Sequence, residues 1–89
     1  MKAIVTVVGK DKKGIIAKVS NALFENDVNI ADISQTIMQD MFTMIMMVEF
    51  DETTVSVTDI EKKLEATRDE MGLEIHVQRE EIFSSMHRI

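Results

Sequence analysis

Residues 7–32 read VVGKDKKGIIAKVSNALFENDVNIAD. An apolar run reaches Gly9, and the charged turn Lys10-Asp11-Lys12-Lys13-Gly14 follows. Then Ile15, Ile16, Val19, Ala22 and Leu23 recur at spacings of three and four, which predicts an amphipathic helix over 12–26. The pattern stops at Asn26-Asp27, residue types that tolerate the left-handed conformation of a helix end. Val28-Asn29-Ile30 then opens a new apolar run. The stretch is thus a strand, a helix and the entry to a second strand. Four of the ten basic residues, Lys10, Lys12, Lys13 and Lys18, gather at its turn and helix, in a chain of net charge −6.

On the N-terminal side, residues 2–8, KAIVTVV, are apolar on both faces, as in a central strand covered on both sides. On the C-terminal side, residues 28–38, VNIADISQTIM, alternate imperfectly, which predicts an edge strand or a bulge. Gln39-Asp40-Met41 reads as a turn. Residues 42–50, FTMIMMVEF, place Phe42, Met44, Met46, Val48 and Phe50 on one face, with a largely apolar second face, so this is a second central strand. Ser56 or Thr58 can cap a helix over 57–71, with Asp59 in its first turn. Its stripe of Val57, Ile60, Leu64 and Met71 is broken at Thr67-Arg68, and Gly72 ends it. Residues 73–78, LEIHVQ, alternate cleanly, as a half-exposed edge strand does.

The order strand, helix, strand, strand, helix, strand predicts an α+β fold. It is a ferredoxin-like βαββαβ sandwich, a four-stranded antiparallel sheet with both helices on one face. Residues 1–78 make this unit. Residues 79–89 form a C-terminal tail in which Ile82, Phe83, Met86 and Ile89 make a short amphipathic helical stripe. The second face of the sheet keeps apolar side chains from both central strands. A chain of 89 residues buries only about 60–65% of its unfolded surface. Both features point to a second copy covering that face or a sheet edge, as a homodimer.

Composition excludes several functions. With no cysteine there is no disulfide, thiolate zinc site or thiol nucleophile. The acidic balance argues against nucleic acid, and the lack of Trp and Tyr removes a base-stacking platform. The short apolar start, followed by lysines, is neither a signal peptide nor a membrane span, so the expected location is the cytoplasm. His76 and His87 are too few for a metal site, and no nucleophile–base pair is visible. No enzyme, metal or cofactor is therefore expected. A turn without arginine does not suit an acylphosphatase, and one without Cys-x-x-Cys does not suit a metallochaperone. Glu80-Glu81 reads as a solvated helix start, and the methionines between 38 and 47 as adaptable core or interface.

The charged turn is the candidate site. A helix N-terminus carries unpaired N–H groups and partial positive charge, and the lysines add to it, which suits a carboxylate. Asp11 can pair with an ammonium. Gly14 leaves the backbone open to close approach, and Asn29 offers both a donor and acceptors. The same residues also fit a plain structural reading, with Asp11 as the helix N-cap and Gly14 as a tight-packing position.

The strand-turn-helix VTVVGKDKKGIIAKVSNAL, followed by ENDVNIADI, resembles the ACT domain, a small regulatory module that binds amino acids. The tail IFSSMHRI is similar to the ending of short free-standing ACT proteins, which resemble halves of the glycine cleavage system transcriptional repressor. The resemblance implies a dimer formed by sheet pairing. It also implies an effector site between the first helix and the second strand, often at a subunit interface. Asp11, Gly14 and Asn29 match the family's site positions, flanked by the backbone of Ile15 and Ile30. Lys13 stands where many members have proline, Gly9 where some serine-binding members have histidine, and Asp27 where glycine often ends the helix. The expected function is a dimeric amino-acid sensor acting through a protein partner. The alternative is a structural dimerisation or adaptor module with no small-molecule ligand.

Overall fold

The computed structural model describes residues 1–82. Its elements are β1 (Lys2–Lys10), α1 (Ile15–Glu25), β2 (Asn29–Met38), β3 (Met41–Glu49), α2 (Val57–Met71) and β4 (Glu74–Arg79). The sheet order is β2-β3-β1-β4, with every neighbouring pair antiparallel. This is the ferredoxin-like arrangement expected from the sequence.

Strand periodicity sets the two faces. Ala3, Val5, Val7, Phe42, Met44, Met46 and Val48 form one core with Ile15, Val19 and Leu23 of α1 and Ile60, Leu64 and Met71 of α2. Both helices therefore cover the same face. On the other face Ile4 is buried, Val8 and Met47 are half-buried and Ile45 is exposed. Thr67, where the sequence suggested a break in the α2 stripe, is buried among the core-facing positions.

β2 is both an edge strand and a bulged one, with the register shift between Ile30 and Asp32. The hairpin to β3 turns through Gln39 and Asp40 alone, and Gln39 takes a left-handed φ of 58°. Met41 belongs to the strand, not to the turn. At the end of α1, Asp27 adopts a left-handed φ of 59° in the role glycine often fills. Ser56 caps α2 in a capping box. The Asp59 N–H donates to Ser56 Oγ at 3.1 Å and the Ser56 N–H to Asp59 Oδ2 at 3.0 Å. Gly72, at φ 64°, closes the other end of α2.

The first helix starts later than its periodicity suggested, at Ile15, because the chain turns through Gly14 at φ 86°. Gly14 is the N-cap, and no side chain caps the helix. The plain reading of Asp11 as N-cap is thus corrected. Asp11 lies three residues upstream, and its N–H donates to the Asp40 carbonyl at 2.7 Å. Of the apolar tail stripe, Ile82 is described and half-exposed, whereas Phe83, Met86 and Ile89 lie outside the described residues.

Candidate functional site

The left-handed turn at Gly14 brings the first turn of α1 against the end of β2. Lys18 N–H closes the first intrahelical bond, to the Gly14 carbonyl at 2.9 Å. The N–H groups of Ile15, Ile16 and Ala17 precede it and have no carbonyl within the helix to bind. These residues, with Asp11, Lys12 and Gly14, line one side of a groove of about 460 Å³; Gln35, Ile37 and Phe42 line the rest. The bond from the Asp11 N–H ties this turn to the hairpin tip at Asp40. The groove has an electropositive helix end, a carboxylate beside it and an apolar wall. Its size is within the range of about 300–1,000 Å³ usual for small-molecule sites.

Of the residues expected at the site, Asp11, Gly14 and Ile15 come together here. Asn29 and Ile30 do not join them within one protomer. They pair with Glu49 and Val48 at the far end of β2, whereas Ile37 pairs with Phe42. Asn29 lies six positions before Gln35 along the strand, about 20 Å away.

Ile16, Ala17, Gln35, Ile37 and Phe42 are additional lining residues. A two-residue hairpin loop fixes register. Counting back from Gln39-Asp40 sets Ile37 opposite Phe42 and Gln35 opposite Met44, on the helix-covered face. That count was available from the sequence once the turn was narrowed to two residues.

The lysines divide in their roles. Lys12 Nζ donates to the Met71 carbonyl at 2.9 Å, and Lys18 is ion-paired with Glu70. Both engage the C-terminal end of α2, where cations are favourable. Two members of the basic cluster therefore join the helices. Lys10 and Lys13 are exposed.

A larger groove, about 610 Å³, follows β4 and α2 past Glu61, Glu65, Arg68 and His76. Size alone does not make it the better site. Arg68 is paired with Asp69 at 3.0 Å, which raises its pKa, and no helix end opens into this groove. Among the described residues no group of three or more His, Cys, Asp or Glu is arranged to hold a metal ion. No helix among them is long and apolar enough to cross a membrane.

Known proteins share this frame. The ACT domain family model matches residues 2–78. A UPF0237 protein of Clostridium acetobutylicum is 51% identical over 89 residues, spanning all of both chains. The solved structure of an ACT domain protein from Streptococcus pneumoniae is 44% identical, with a TM-score of 0.81 over 93% of each chain. A structure described as a glycine cleavage system transcriptional repressor superposes with a TM-score of 0.78 over 88% of this chain and 44% of that one. At 23% identity the last likeness is one of fold. The βαββαβ order, the glycine turn at the head of α1 and the match over residues 2–78 agree: this chain belongs to the ACT domain family, a family of regulatory ligand-binding modules.

Proposed function

We propose that the chain is a cytoplasmic amino-acid sensor, not an enzyme, that works as a homodimer and reports to a protein partner. One observation carries this reading. The uncapped first turn of α1 and the carboxylate-bearing residue Asp11 line the same groove. A free amino acid offers the matching pair of charges. Its carboxylate would sit at the N–H groups of Ile15 to Ala17, its ammonium at Asp11, and its side chain along Ile16, Ile37 and Phe42. Gly14 lets the ligand approach the backbone. Asn29 and Ile30 belong to the site only if a second copy supplies them. The ligand acts by favouring the dimer or partner-bound state to which it binds more tightly.

The adaptor reading draws on a different observation, the commitment of Lys12 and Lys18 to α2. Titrating free amino acids into the isotope-labelled protein separates the two. A sensor shows saturable amide shifts at Ile15, Ile16 and Ala17 for one or two amino acids. An adaptor shows none for any of the twenty.

A further inference from the structure

The sheet face turned away from the helices is unevenly covered. Its side chains form rows across the strands, and one row near the end of β4 is Gln78, Ile4, Met47 and Asp32. Ile4 is 5% exposed there and Met47 is half-buried. One row further on, Ile45 is 40% exposed, and Met41 beyond it is 47% exposed. Both helices pack on the opposite face, so neither accounts for the burial of Ile4. β4 hands on the chain at this same end of the sheet. Arg79 pairs with Ala3, and a helical turn opens at Glu80 and runs to Ile82.

We propose that residues 83–89, FSSMHRI, continue that turn as a helix laid across the open face, over the row from Gln78 to Asp32, and close the face from within the chain. Three observations select this occupant. The first is the point of departure. The chain leaves β4 beside Ile4, the most deeply buried side chain of the face. The second is length. A helix over residues 80–89 is about 15 Å long, and the row crosses three strand spacings, about 14 Å. The third is chemistry. Ile82, Phe83, Met86 and Ile89 recur at helical spacing as one apolar stripe, which matches Ile4 and Met47. Glu80 and Glu81 stand at the N-terminal end of such a helix and His87 and Arg88 at its C-terminal end, the favourable order for the helix dipole. At the far side of the row the basic end meets the exposed carboxylates of Asp32 and Glu49.

The cover lies beyond residues 2–78, the unit that the family model matches. It explains why a tail that follows a complete unit carries so apolar a stripe. With the tail in place the open face is closed to a second copy, and a homodimer has to form through another surface. The inference stands apart from amino-acid binding, because no residue of the open face lines the groove at α1.

The placement of the phenylalanines makes the test specific. Phe42 and Phe50 belong to the core and Phe24 lies on α1, which leaves Phe83 to meet the open face. In the isotope-labelled full chain, nuclear Overhauser contacts are expected from the Phe83 ring to the methyl groups of Ile4 and Met47. When labelled and unlabelled chains are refolded together, the filtered spectrum records only contacts between copies and should show none to these methyl groups. Absence of the Phe83 contacts in the full chain overturns the proposal. So do filtered contacts to Ile4 or Met47, which would assign the face to a second copy. A chain ended at Ile82 gives a second readout. Its Ile4 and Met47 methyl resonances should shift with the loss of the Phe83 ring, while those of Val5 and Met44 in the core hold their places. Unshifted Ile4 and Met47 resonances overturn the proposal. None of these measurements needs a ligand, so their failure is separate from a failure of amino-acid binding.

Discussion

Lys12 Nζ donates to the Met71 carbonyl at 2.9 Å, so a lysine of the α1 turn closes the C-terminus of α2 across 59 residues of sequence. The contact fixes the turn that carries Asp11 and Gly14 against the second helix. Lys12→Met keeps the side-chain length and removes the donor. It is expected to lower stability by about 1 kcal/mol, the usual worth of one such bond, read by urea denaturation. No change would mean that water serves the Met71 carbonyl equally well.

Gly14 holds a left-handed φ of 86°, and a Cβ there would meet nothing within 4 Å. Gly14→Ala therefore costs backbone strain and no clash. About 1–2 kcal/mol is expected, with no neighbouring side chain displaced. A neutral substitution would mean that the turn relaxes to a right-handed start.

Gln39 is the opposite case, a residue with a Cβ at φ 58° in a two-residue hairpin loop. Gln39→Gly relieves that conformation at an exposed position. It is expected to raise stability by about 1 kcal/mol, offset in part by the freer unfolded chain. Differential scanning calorimetry gives the sign directly.

The fold was largely legible in the sequence. Both central strands, the edge position of β2 and β4 and the α2 span 57–71 follow from apolar periodicity and the signals at Ser56 and Gly72. The site was legible in part. Asp11, Gly14 and Ile15 are close in sequence, so a local motif places them together. Asn29 and Ile30 are also close in sequence to the end of α1, but β2 runs away from the groove, and only strand direction shows this. The roles of Lys12 and Lys18 were not legible, because their partners Met71 and Glu70 come from the far end of α2. Charge clustering alone does not tell a ligand site from a joint between helices.

The capping box of α2 gives a pH dependence. Hydrogen bonds from the Ser56 N–H, chiefly, and from its hydroxyl hold the Asp59 carboxyl below its ordinary value. Thr53 does the same for Asp51, first through its hydroxyl and then through its N–H. A lowered carboxyl pKa adds stability that is fully present above the unfolded value of about 3.9. That stability is lost as pH falls through the lower folded value. The chain should therefore lose stability progressively on acidification below about pH 4. Asp59→Asn removes the titrating carboxyl and should flatten that acid limb in part, Asp51 keeping the rest. An unchanged acid limb in Asp59→Asn would assign it to other carboxylates.

A thermal-shift screen of the twenty amino acids at millimolar concentration, on the unaltered chain and on Asp11→Ala, tests the sensor reading most directly. A ligand at 100 times its dissociation constant adds about 2.7 kcal/mol, on the order of 10–20 °C for a domain of this size. The expected result is a shift of that order for one or two amino acids, abolished in Asp11→Ala. The variant itself should melt near the parent temperature, because Asp11 caps no helix. No shift for any amino acid, or a shift that survives the loss of Asp11, would contradict it.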